Sequence, residues 1–242
     1  MNIGVKAYHE EDFLDAFIGK ADFFEIQAIQ KYNYNFLKKY KKLNIPIVIH
    51  AEHVDLGANP ADKTLEKNNI KSINYAIKLA NLTGSKKIIL HPGGFMNKNC
   101  SKEQSIKILK SVKDKRVLVE NLSPLGNRLC QTPEQTKDFL EKTNKDLIFD
   151  LGHAIITANT LKLNMEKTVN AFLKLKPKHF HLSGININSK KDSHKSFKTA
   201  TTDYKKFLKL YPKNAEITLE VTKSINKTKW DLDFIRKIIT EL

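Results

Sequence analysis

Two rhythms of hydrophobic and polar positions alternate along the chain. Short runs rich in Ile, Val, Leu and Phe recur at residues 3–7, 23–27, 45–50, 87–91, 116–120, 146–150, 179–182 and 216–221, each of strand length. Between them, apolar positions fall at helical spacing. Residues 61–82 carry such a pattern and stop at Gly84. Ser101-Lys-Glu-Gln104 has the form of a capping box ahead of a helix through Val112. Thr132-Pro-Glu-Gln135 repeats that form, with Pro133 at the first helical position. Residues 164–175, 203–210 and 231–242 read as further helices. Strands alternating with helices predict a parallel sheet. Eight such units in 242 residues fit an α/β fold of the (β/α)₈ TIM-barrel type, expected as a single domain over residues 1–242. A doubly wound open sheet is the alternative. It usually carries a Gly-rich phosphate loop after its first strand, where this chain has Tyr8-His-Glu-Glu.

Composition adds a partner class and removes others. Hydrophobic residues make up 40% of the chain, enough for a packed core. No apolar run approaches the roughly 18 residues that span a bilayer, so no membrane partner is expected. The first residues read as a strand followed by acids rather than as a signal peptide. Cys100 and Cys130 lack CxxC spacing, which fits a reducing, cytoplasmic setting. No obligate protein partner is evident. A net charge of +16 would attract a polyanion such as nucleic acid. Only Arg116, Arg128 and Arg236 are arginine, however, so a lysine-biased genome accounts for the charge equally well.

The sharper signal lies at the ends of the runs, because a barrel builds its site where strands end at the C-terminal face. The third run ends in His50 and the fourth in His91-Pro-Gly. The fifth ends in Glu120-Asn121, the sixth in Asp150, with His153 following in the stretch FDLGHA. The seventh carries His181, the loop after it carries Asp192-Ser-His194, and the eighth ends in Glu220. Taken singly, each ending is compatible with turn or capping chemistry. Together they place carboxylates at the ends of apolar strands, which is costly unless they are paired or metal-bound. The first two runs contribute only the weaker candidates His9 and Glu25. Nine ligand-type side chains exceed the four to six, roughly, that one ion takes. Imidazole and carboxylate without thiolate suit zinc, manganese or iron. Ions clustered roughly 3.5–4 Å apart are a usual device for cleaving phosphate esters. In FDLGHA, Asp150 would end the strand and a turn at Gly152 would swing His153 toward a second ion.

The ordered motifs VIH, LHPG, VEN, FDLGH, HLSG, DSH and LEV resemble those of the xylose-isomerase-like TIM barrels. Among these they are most similar to endonuclease IV, the family-2 apurinic/apyrimidinic endonucleases, in order from about residue 45 to 222. The resemblance implies a trinuclear zinc site. His50 and His91 would hold one ion, and Glu120 would bridge it to a second completed by Asp150, His181 and Glu220. His153, Asp192 and His194 would hold the third. It further implies hydrolysis of DNA 5′ to an abasic site, with Glu120 also positioning the attacking hydroxide. The sequence departs from the family where His181-Leu-Ser-Gly184 lacks the acid that usually follows the seventh-strand histidine. It departs again where Lys195-Ser-Phe197 follows Asp192-x-His194 in place of a Gly-containing loop. The family's DNA-penetrating loops are not identifiable, so the departures bear on base flipping and abasic-site specificity.

A single-ion sugar isomerase or epimerase of the same superfamily is the alternative, using Glu120, Asp150, His181 and Glu220 on a sugar or phosphorylated small molecule. It has no need of His50, His91, His153 and the Asp192–His194 pair together. A lysine base at a strand end would favour it, and none is evident. A non-catalytic nucleic-acid binder would leave the strand ends unexplained. His53, Tyr8 and Arg128 fall in loops of the functional face and are candidate substrate contacts. His179 shares a strand face with His181 and is expected one layer deeper. Trp230 is expected to pack the last helix.

Overall fold

The computed structural model describes residues 1–221 and 223–242. Among the described residues, parallel strands β1 (Asn2–Ala7), β2 (Phe23–Gln27), β3 (Ile47–His50), β4 (Ile88–Leu90), β5 (Val117–Glu120), β6 (Asp146–Asp150), β7 (His179–Leu182) and β8 (Glu216–Leu219) close into a barrel in chain order. The expected (β/α)₈ barrel is therefore the fold. The sequence runs overshoot several strands by a residue or two, and His91 and Glu220 lie just beyond the last paired residues of β4 and β8.

Side chains alternate inward and outward along each strand. The outward set, such as Val117 and Val119 of β5, packs in the main core against the helices. The inward set forms two layers. Phe23, Val48, Ile89, Leu118 and Ile148 make a separate apolar cluster inside the barrel. Gly4 belongs to this layer, since a Cβ on it would lie 2.3 Å from the Phe23 ring. His179 and Thr218 complete it, joined by a 2.8 Å hydrogen bond. Two residues further along every strand stands a polar side chain: Lys6, Glu25, His50, His91, Glu120, Asp150, His181 and Glu220. The barrel is thus plugged below and polar at its mouth.

The helices are α1 (Glu11–Asp15), α2 (Leu37–Lys42), α3 (Glu66–Thr83), α4 (Lys102–Ser111), α5 (Pro133–Thr143), α6 (Leu151–Leu161), α7 (Met165–Leu173), α8 (Tyr204–Leu208) and α9 (Ile225–Thr240). Ser101 and Thr132 accept the backbone N–H groups of Gln104 and Gln135, as the capping signals require. Helix α9 starts well before residue 231, because its first turns, Ile225-Asn-Lys-Thr-Lys, are too polar to show an apolar stripe. Trp230 lies on this helix, stacked on Phe234 at 5.0 Å. No helix among the described residues is long and apolar enough to cross a membrane.

FDLGHA is not a turn. Helix α6 begins at Leu151, directly after β6, and Asp150 is its N-cap. The Asp150 carboxylate accepts the backbone N–H of His153 at 2.7 Å. Leu151 through Ala158 are all buried, so the helix has no polar face by which to recognise it in the sequence.

Candidate metal centre

The strand ends converge on one cavity of about 650 Å³. Its lining includes Lys6, His50, His53, His91, Glu120, His153, Asp192, His194 and Glu220, together with Tyr8 and Arg128. Asp150 and His181 lie beneath them, each buried to within 1% of full burial.

Two compact donor sets face each other across Glu120. In the first, His91 Nε2 lies 3.0 Å and His50 Nε2 3.4 Å from Glu120 Oε2. In the second, His153 Nε2 and His194 Nε2 lie 3.0 and 3.1 Å from the two oxygens of Asp192. Donor atoms within each set fall within 4.8 Å of one another. Glu120 Oε1 lies 3.4 Å from His153 Nδ1, so the same carboxylate borders both.

Backbone carbonyls fix the ring orientations. His50 Nδ1–H donates to the Ala51 carbonyl at 2.8 Å, and His153 Nδ1–H donates to the Asn121 carbonyl at 2.8 Å. His194 Nδ1–H donates to the Glu220 carbonyl at 3.2 Å. A carbonyl only accepts, so each ring is left to present Nε2 to the cavity, the usual arrangement behind a metal-binding histidine. For His181 the orienting group is a carboxylate: its Nε2 meets Glu25 Oε2 at 2.9 Å, leaving Nδ1 toward Glu120 and Glu220. The carboxylate behind His181 thus comes from β2.

The loop that follows β7 is closed by Gly184, whose N–H donates to the Lys195 carbonyl at 2.8 Å and whose carbonyl accepts the Lys195 N–H at 3.1 Å. A Cβ at Gly184 would meet that carbonyl oxygen at 2.3 Å, so the glycine that departs from the family pattern is what lets the Asp192–His194 segment fold back over the mouth. His194 sits at φ 40, a strained conformation for a histidine and one common at functional sites.

Several donor atoms are buried without an aligned hydrogen bond: His50 Nε2, Glu120 Oε2, Asp150 Oδ2 and His181 Nδ1. Orphaned polar atoms are costly in a protein interior. All four belong to the ligand set read from the strand ends, and an ion would satisfy them, so the residues present fit a metal.

The charges are strongly coupled. Burial pushes the Asp150 carboxyl up to about 6, with Glu120 and Glu220 adding to the effect and His153 opposing it. Burial lowers His91 to about 4 against the pull of Glu120. Burial works against a charge on His194, but Asp192 and Glu220 carry it up to about 9. Burial and the neighbouring His91 and His50 lower His53, which stacks on His91 at 4.9 Å. Tyr8 and Arg128 stand at the rim, Tyr8 beneath the Lys223 ammonium and Arg128 3.3 Å from Asp55.

Lys6 is absent from the candidates that the run endings supply. Its run ends at Ala7, whereas the period of two from Gly4 puts Lys6 on the inward face. Its ammonium bonds Glu220 and lies 3.2 Å from Glu25. Burial would lower its pKa, yet Glu220, Glu25 and Glu120 raise it above the ordinary lysine range. The expectation of no strand-end lysine is therefore wrong, and Glu25 is a central rather than a marginal residue.

The chain is 29% identical over 185 residues to the probable endonuclease 4 of Mycoplasmopsis agalactiae, covering 69% of this chain and 65% of that protein. It is 28% identical over 187 residues to the probable endonuclease 4 of Metamycoplasma arthritidis, covering 69% and 66%. The matched region thus spans just under two thirds of these relatives' length. Endonuclease IV from Thermus thermophilus superposes with a TM-score of 0.78 at 18% identity, over 100% of both chains. A D-tagatose 3-epimerase-like protein does so equally well, at 0.78 and 18%, over 100% of this chain and 99% of the other. At such identities the likeness shows the fold alone. The sequence model of one family covers residues 14–238, from before β2 to within α9, and on that match the protein belongs to the xylose isomerase-like TIM barrel family.

Proposed function

We propose that the chain is a metal-dependent phosphodiesterase of the endonuclease IV type, hydrolysing DNA 5′ to abasic sites. The observation that carries this reading is the pair of donor sets, His50/His91/Glu120 and His153/Asp192/His194, that line one cavity with Glu120 of the first bordering the second. In its fullest form the reading has three zinc ions, with the third between Glu120, Asp150, His181 and Glu220; the same donors accept manganese or iron. Such ions, when bound, polarise a phosphate and supply a water that ionises near neutral pH.

The chain's own residues supply positioning. Glu120 orients the attacking water between the two sets, and its burial keeps the carboxylate from being screened. Lys6, Arg128 and Lys223 line the cavity and favour an anionic substrate. A second hollow of about 730 Å³ shares Tyr8, Asp55 and Lys223 with the first and adds Lys31 and Lys71 together with Glu10 and Glu52, so its lining is polar and of mixed charge. The stacked pair His9 and Tyr32, with ring centroids 3.8 Å apart, offers a face for an unstacked base.

A single-ion sugar isomerase or epimerase is the second reading, and the orphaned Glu120 Oε2, Asp150 Oδ2 and His181 Nδ1 favour it, since all three belong to its four-residue ligand set. One experiment separates the two. Zinc-loaded protein is given a duplex with a single abasic site, the same duplex intact, and a panel of ketoses. The expected result is a nick 5′ to the abasic site, abolished by a chelator. Ketose turnover without incision would overturn the proposal in favour of the isomerase.

A further inference from the structure

Lys6 and Glu25 are partners in the register of β1 and β2, and both side chains enter the barrel mouth. The Lys6 ammonium bonds Glu220 Oε1. That oxygen is the one that lies 3.2 Å from His181 Nδ1. The other oxygen of Glu220 faces His194 Nδ1 at 3.4 Å. An ion shared by Glu120, Asp150, His181 and Glu220 would have to take up Glu220 Oε1 on the His181 side, where the ammonium already stands.

The ammonium is also hard to dislodge. The Lys6 side chain is only 13% exposed, and Glu25 is fully buried. The second Glu25 oxygen is taken by His181 and Thr218. Withdrawing Lys6 would leave the buried Glu25 with only the His181 and His179 imidazoles as positive neighbours, and removing one partner from a buried charge cluster is destabilising. A divalent ion entering this position would satisfy Asp150 Oδ2 and His181 Nδ1, but it would have to offset that loss and displace a cation of its own sign.

We propose that Lys6 is a resident cation in place of the central ion, so that this chain takes about two divalent ions, not three. The two ions occupy the His50/His91/Glu120 and His153/Asp192/His194 sets. The proposal rests on the metal reading of the site and changes its stoichiometry. It also leaves an ammonium of fixed charge on the cavity wall, within reach of an anionic substrate.

The test counts zinc per folded chain by mass spectrometry after loading and gel filtration, for the wild type, Lys6→Ala and Lys6→Arg. The expected counts are about two for the wild type, about three for Lys6→Ala, and about two for Lys6→Arg, which keeps the cation. About three ions in the wild type would overturn the proposal and leave the metal reading standing. About two in both the wild type and Lys6→Ala would also overturn it, because Lys6 would not be what limits the count. No zinc in the wild type would overturn this inference and the metal reading together. Should Lys6→Ala fail to fold, the wild type and Lys6→Arg still decide: three ions in either contradicts the proposal.

Discussion

On the β3–β5 side of the mouth, His50 Nε2 and Glu120 Oε2, which form a donor set with His91, are buried with no aligned hydrogen bond. On the β8–β1–β2 side, Glu25 Oε1 also lacks an aligned hydrogen bond, but it and Glu220 face an ammonium from the chain itself. Both sides are built the same way, from the inward position two residues beyond a barrel-filling layer. They differ in where their positive charge comes from. One side carries its cation within the fold, and the other has its rings oriented by carbonyls so that each Nε2 faces a carboxylate of its own donor set. The difference teaches that strand-end carboxylates and unsatisfied donor atoms do not by themselves locate a metal, because a cation from the chain can stand where an ion would.

The largest expected effect comes from removing Glu120, which belongs to the first donor set and borders the second. Glu120→Ala should lower incision by about 10³-fold or more, beyond the roughly 10–100-fold typical of groups one step behind a ligand. It should also cut zinc retention, measured on the same protein. Activity and metal content close to wild type would mean that Glu120 does not join the two sets.

Next in size is a substitution in the layer below. Ile148→Ala should cost about 2–5 kcal/mol of stability, read from denaturant unfolding, because Ile148 is fully buried in the apolar plug. Zinc content of the folded fraction should be unchanged. A loss of metal with no loss of stability would merge the two layers that the comparison keeps apart.

A smaller and opposite pair of effects follows from pH. Burial opposes the charge on His153 and His181, but their carboxylate neighbours raise both well above the ordinary imidazole range, and His194 rises to about 9. A raised imidazole stabilises the metal-free fold below its unfolded pKa and loses that contribution as pH rises through its folded value. The metal-free protein should therefore lose thermal stability between about pH 6.5 and 9. Zinc must displace the same protons, so zinc affinity should rise over that interval. Thermal melts with and without zinc check both signs, and parallel rather than opposed trends would refute the assignment.

The smallest effect is expected at the rim. Arg128→Ala should raise KM for a DNA substrate several-fold with little change in kcat, since Arg128 lines the cavity from a loop and its Asp55 partner is largely solvated. A large fall in kcat would place Arg128 among the groups that touch the reacting phosphate.

Much of this arrangement was legible in the sequence. The apolar runs predicted the barrel, and their polar ends predicted which side chains gather at its mouth. Two features were hidden for identifiable reasons. Lys6 precedes Ala7, so a rule that read the last residue of each run stepped over it, while the inward period of two would have found it. Helix α6 is buried along its first two turns, so it offered no amphipathic stripe, and Asp150-Leu-Gly-His read as a turn where it is a helix N-cap. Glu25 was visible as a carboxylate inside an apolar strand, but its role depends on His181, far away in sequence. Short-range patterns carry no information about that pairing.

The most direct test of the comparison is to locate the metals. Crystals of zinc-loaded protein, measured on either side of the zinc absorption edge, would place each ion by anomalous scattering. Peaks are predicted among His50, His91 and Glu120 and among His153, Asp192 and His194, with the Lys6 ammonium still between Glu25 and Glu220. A peak among Glu120, Asp150, His181 and Glu220, or no peak at either histidine set, would contradict the division of the mouth into a metal side and a lysine side.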